Sequence, residues 1–135
     1  MRKAVSLFCL CMVMTAMLCG CKFIRIEEEA PKPLKYTIVE QELIPKEAMA
    51  LIEEKRETEF QITYQSGEDL YLMKGYGRQM SGGYSIQVEE LSSSNTGIFF
   101  RTKLLGPPAD NVGTEPSYPY IVVKTQFLDR PVQFE

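Results

Sequence analysis

Hydrophobic and polar positions change their period several times along this chain, and the changes divide it into elements. Residues 36–43 are extended in composition and predict a first strand. Ile44, Ala48, Leu51 and Ile52 then fall on one helical face, with Lys46, Glu47, Glu53 and Glu54 elsewhere. Pro45 stands where a first helical turn needs no N–H, so the pattern predicts an amphipathic helix over 45–56. After Thr58 the period becomes two: Phe60, Ile62 and Tyr64 alternate with polar residues, Ser66-Gly67-Glu68-Asp69 makes a turn, and residues 70–75 run back as a hairpin partner. Tyr84, Ile86 and Val88 alternate with Ser85, Gln87 and Glu89, residues 92–97 form a turn cluster, and Ile98–Leu105 reads as the returning strand. Residues 120–123 (Tyr-Ile-Val-Val) are apolar without alternation, which marks a central strand buried on both faces. Residues 127–134 predict a short edge strand, limited by Pro131. The sum is an α+β fold of mostly antiparallel sheet, sandwich- or roll-like, with one N-terminal amphipathic helix.

The first twenty residues follow a different pattern. Arg2 and Lys3 precede an uncharged apolar run over 4–19, the layout of a secretory signal and slightly short for a membrane span. Leu18-Cys19-Gly20-Cys21 resembles the bacterial lipobox, with a small residue before the cysteine that is joined to diacylglycerol. Its resemblance implies lipidation of Cys21, cleavage before it, and an exported protein anchored on the extracytoplasmic side of a membrane. An uncleaved anchor helix is the competing reading. Residues 1–20 are accordingly the signal peptide. Residues 21–34 are a tether with two prolines and the acidic run Glu27-Glu28-Glu29, which cannot converge on one cation. Residues 35–135 form a single β-rich domain.

Charge and cysteine content narrow the function. All four cysteines (Cys9, Cys11, Cys19 and Cys21) lie at or before the lipobox, so the domain has to rely on a packed core rather than a disulfide. Without Arg2 and Lys3, thirteen basic residues face eighteen acidic ones, a net charge of about −5 that argues against nucleic acid. The chain has no histidine, which removes Ser-His and Cys-His machinery and most transition-metal sites. A Ser-Lys pair drawn from Ser81 or Ser85 with Lys74 or Lys103 has no supporting spacing. Glu89 and Glu90 are expected on opposite faces of a strand, and Gly75-Tyr76-Gly77 lacks the rest of a phosphate loop. The expectation is a non-catalytic protein without a cofactor or metal.

Three segments stand apart from this ordinary pattern: Gly75-Tyr76-Gly77-Arg78-Gln79-Met80-Ser81-Gly82-Gly83-Tyr84-Ser85-Ile86, then Lys103-Leu104-Leu105-Gly106-Pro107-Pro108, then Pro116-Ser117-Tyr118-Pro119-Tyr120-Ile121-Val122-Val123-Lys124. Their order and spacing resemble the C-terminal domain of the PrcB-like family, over about residues 70–125. The family is named for an accessory lipoprotein subunit of a bacterial surface protease complex. The resemblance implies a non-catalytic, mostly β extracytoplasmic domain that assists or binds a protease.

Within these segments Gly82 and Gly83 can adopt positive φ, so they serve either a tight hairpin or a loop that enters a cleft. The same stretch is similar to the Thr-Gly-Tyr loop of chagasin-type protease inhibitors, although the usual Asn-Pro-Thr lead is missing. Tyr118-Pro119-Tyr120 is the best exposed-aromatic candidate, against the commoner role of such rings in packing. The candidate partner-binding residues are therefore Met80, Gly82, Gly83, Tyr84 and Tyr118. Three functions are open at this point: an accessory interaction module of an envelope complex, which includes a protease on the family resemblance; a protease inhibitor presenting the glycine loop; or a structural envelope lipoprotein without a ligand.

Overall fold

The computed structural model of the protein describes residues 30–110 and 113–135, and in them eight strands form two four-stranded sheets. The strands are β1 (Lys32–Pro33), β2 (Tyr36–Ile38), β3 (Glu59–Ser66), β4 (Asp69–Tyr76), β5 (Ser85–Ser93), β6 (Ile98–Leu105), β7 (Tyr120–Gln126) and β8 (Val132–Phe134). One sheet has the order β2-β7-β4-β3, the other β1-β5-β6-β8. Every pairing is antiparallel except β6 with β8.

The helix α1 (Lys46–Lys55) falls where the apolar face predicted it, but it follows β1 and β2 rather than leading the fold. The strand expected over 36–43 is cut short. Tyr36–Ile38 pair with β7 and the Val39 N–H still donates to the Val122 carbonyl at 2.8 Å; Gln41–Leu43 then turns as a 3-10 segment that delivers Pro45 to the start of α1. The signal peptide and Cys21 lie outside the described residues, as do tether residues 21–29. The end of the tether is structured: Lys32 and Pro33 pair with Ser93 and Ser92, Leu34 N–H donates to Leu91 C=O at 2.9 Å, and the Leu34 side chain packs on the inter-sheet core.

The β2-β7-β4-β3 sheet is buried on both faces, which makes three layers. On one face α1 sets Ile44, Ala48 and Ile52 against Phe60, Tyr71, Met73 and Val122. On the other, Leu70, Leu72, Ile121 and Val123 meet Leu91, Ile98 and Phe100 of the second sheet. This explains the unbroken apolar run in β7. Val122 faces the helix while Ile121 and Val123 face the second sheet, and β7 lies between β2 and β4.

Local irregularities hold these layers in place. Gly75 has no side chain because the Phe60 ring occupies the space: a Cβ there would come within 2.1 Å of Phe60 Cε1. A β-bulge between Val88 and Glu90 inserts Glu89 opposite no partner. It shifts the inward parity, so that Ile86 and Val88 are followed inward by Leu91. It also corrects the expectation for the two glutamates. Instead of facing opposite ways, Glu89 and Glu90 both reach Arg101, at 3.2 and 3.4 Å, and Glu135 joins them at 3.6 Å. They form an ion-pair cluster on a partly exposed surface.

Candidate functional site

The glycine-rich segment is not a hairpin. It carries the chain from β4 in one sheet to β5 in the other, so the tight-turn reading gives way to an inter-sheet crossing. The crossing needs left-handed backbone at two places, Gly77 (φ 73°) and Gly83 (φ 86°); Gly82 does not have positive φ. At Gly77 a Cβ would also stand 3.0 Å from Glu59 N and Thr58 C, so this residue is fixed both by conformation and by close approach to the start of β3. Tyr84 is half-buried, with Cε1 at 4.0 Å from where a Gly106 Cβ would lie.

The structure brings this crossing together with the loop that precedes β7. Gln79 and Ser117 exchange both backbone hydrogen bonds, the Gln79 N–H donating at 2.8 Å and the Ser117 N–H at 3.1 Å. Ser117 Oγ donates to the Ser81 carbonyl at 2.6 Å, and the Tyr76 N–H donates to the Pro119 carbonyl at 3.0 Å. Gln79 Nε2 adds a bond to the Tyr76 carbonyl at 3.0 Å. Two loops remote in sequence therefore form one stitched ridge. Met80 stands out of it with 83% of its surface exposed, the most exposed large apolar side chain among the described residues.

Tyr118 belongs to the same ridge but is half-buried, and the Arg56 guanidinium lies 4.7 Å from its ring centroid. The ring thus serves packing and surface together. Arg56, Gln79, Ser81 and Ser117 were not among the partner-binding residues expected from the sequence. Nothing in their spacing marks a bridge between residues almost forty positions apart, and only the position of Ser117 beside Tyr118 hinted at it.

The neighbouring inter-sheet edge is polar. Lys74 is 4% exposed, the only charged side chain among the described residues buried to that degree. Its ammonium donates to Glu59 Oε1 at 2.5 Å and lies 5.0 Å from the Tyr76 ring centroid. Tyr76 Oη and Thr102 Oγ1, 2.5 Å apart, join the two sheets. These contacts commit the Lys74 ammonium to a carboxylate and give it a structural role at the sheet junction.

No curated protein and no solved structure matches the chain significantly. A family model does match it, described as PrcB C-terminal, over residues 70–126. That span begins in β4 and runs to the end of β7, so it takes in the inter-sheet crossing, the β5–β6 hairpin and the Tyr118 loop. Over residues 70–126, the part of the fold that builds the stitched ridge, the chain is similar to the PrcB C-terminal family, the one that the three glycine- and proline-marked segments resembled.

Proposed function

We propose that this protein is a non-catalytic accessory module of an envelope protein complex, held to the membrane through lipid on Cys21, and that its recognition surface is the ridge carrying Met80 and Tyr118. One observation carries the reading. Hydrogen bonds between Gln79, Ser81 and Ser117 fix two loops as one rigid feature whose apex is an exposed methionine. Loops held on a rigid sheet commonly carry recognition, and methionine gives an adaptable apolar contact. The PrcB C-terminal match supports association with a protease complex, because the family takes its name from such a subunit.

The test is a pulldown from solubilised membranes with protease activity assayed in the eluate. Met80→Glu is expected to lose the partner while leaving the thermal midpoint close to wild type, since the side chain is 83% exposed. Retention of every partner by Met80→Glu and by Tyr118→Ala would place recognition elsewhere. Inhibition of the recovered protease by the domain, in place of stable assembly, would favour the inhibitor role.

A further inference from the structure

The two sheets have four edges, and one differs from the others. β1 has two residues, one of them Pro33; β2 and β8 have three each. Such short or proline-bearing edges offer little to another strand. β3 is an edge of eight residues in unbroken register with β4, with no proline, lysine or bulge.

The direction of its free backbone groups follows from the register. The Tyr76 N–H donates to the Pro119 carbonyl, so the even-numbered residues of β4 turn their backbone groups toward β7 and the odd-numbered ones toward β3. The register of Phe60 with Gly75 and Ile62 with Met73 then directs the even-numbered residues of β3 at β4. Glu59, Gln61, Thr63 and Gln65 are left with N–H and C=O groups pointing away from the sheet.

We infer that a second copy of this chain pairs with β3, antiparallel and about a two-fold axis at Ile62. In that register Ile62 meets Ile62 of the second copy and Phe60 meets Tyr64, so apolar residues on the helix-covered face meet apolar residues. Gln61 comes opposite Thr63. Glu59, the only charged residue in the strand, comes opposite Gln65 and meets no like charge. The outward groups of Gln61 and Thr63, and of Glu59 and Gln65, become the hydrogen-bonded pairs, and Ile62 becomes a non-hydrogen-bonded pair with close Cβ atoms. The contact is isologous and closes at two copies, joining two four-stranded sheets into one of eight strands.

Two variants of the full chain test this. Thr63→Pro removes an N–H that β4 does not use, so the ladder within the chain survives while the edge is blocked. Ile62→Cys places one thiol against its symmetry mate in a chain with no other cysteine after Cys21. Sedimentation of detergent-solubilised protein should show a dimer for wild type and a monomer for Thr63→Pro with an unchanged circular dichroism spectrum. Mild oxidation should give a reducible dimer band for Ile62→Cys that neither the parent chain nor Gln87→Cys, on the outer face of β5, gives. A wild-type monomer at every concentration reached would overturn the inference, including when a segment of another protein is found on the edge. A dimer that survives Thr63→Pro would overturn it too. If Thr63→Pro fails to fold, the oxidation result decides alone, and absence of the Ile62→Cys band then refutes the pairing.

Discussion

The Arg56 guanidinium lies 4.7 Å from the centroid of the Tyr118 ring, fastening the end of α1 to the loop that enters β7. The Arg56 side chain is itself 46% exposed, so the contact sits in the weak range for cation–π pairs, about 0.5–1 kcal/mol. Arg56→Ala should cost about that much in chemical denaturation, Tyr118→Ala more because it also gives up the packing of a half-buried ring, and the double mutant should show a coupling of about 0.5–1 kcal/mol. A loss of several kcal/mol from Tyr118→Ala alone would make the ring a core element and remove it from the recognition surface.

Gly75 and Phe60 make a stricter pair. A methyl on Gly75 would enter the Phe60 ring, and that ring is buried beneath α1. Gly75→Ala should destabilise the fold by roughly 1–3 kcal/mol, the usual cost of overpacking a filled core. Phe60→Leu in the same chain should recover part of the loss by opening the space. Equal stability of Gly75→Ala and wild type in urea would show that the ring moves aside freely.

Period and turn chemistry made most of the elements legible. The hairpin around Gly67 and Glu68, the limits of β6, the helix and the double burial of β7 all follow from residues close together in the chain. What was hidden depends on contacts at long range. The glycine segment could be read as a hairpin because a turn between strands looks the same whether or not they share a sheet. Only the inter-sheet contacts of Leu70, Leu72, Leu91 and Phe100 decide that β4 and β5 lie in different layers. The bulge at Glu89 was hidden as well, since Val88-Glu89-Glu90-Leu91 reads as alternation with one slip. The ridge was half visible: Met80 and Tyr118 could be named separately, but not the bridge from Gln79 to Ser117 that unites them.

Tyr120 should contribute to an alkaline limit of the fold. Its partial burial, and secondarily the negative charge of Glu53, raise its pKa above the ordinary 10.0. Below that value the phenol is neutral in both folded and unfolded chains and contributes no pH dependence. Above it the unfolded chain ionises first, the folded state holds the extra proton, and stability falls as pH rises. Urea denaturation at alkaline pH should show a steeper loss for wild type than for Tyr120→Phe. Parallel curves for the two proteins would mean that another group sets the alkaline limit.

Attachment to the membrane is tested at Cys21. Residues 22–29 separate it from the first described residue, a span of at most roughly 30 Å when fully extended. A lipid on Cys21 would therefore hold the domain close to the bilayer, within reach of a membrane-bound partner but not of one far from the surface. Among the described residues no helix is long and apolar enough to cross a membrane. Cys21→Ala should abolish incorporation of labelled palmitate and leave the precursor uncleaved, its apolar run over 4–19 still attached. A variant that takes up palmitate and is cut at the same bond would refute lipidation at this cysteine. A wild-type protein that retains its first twenty residues would refute it equally, in favour of an uncleaved anchor helix.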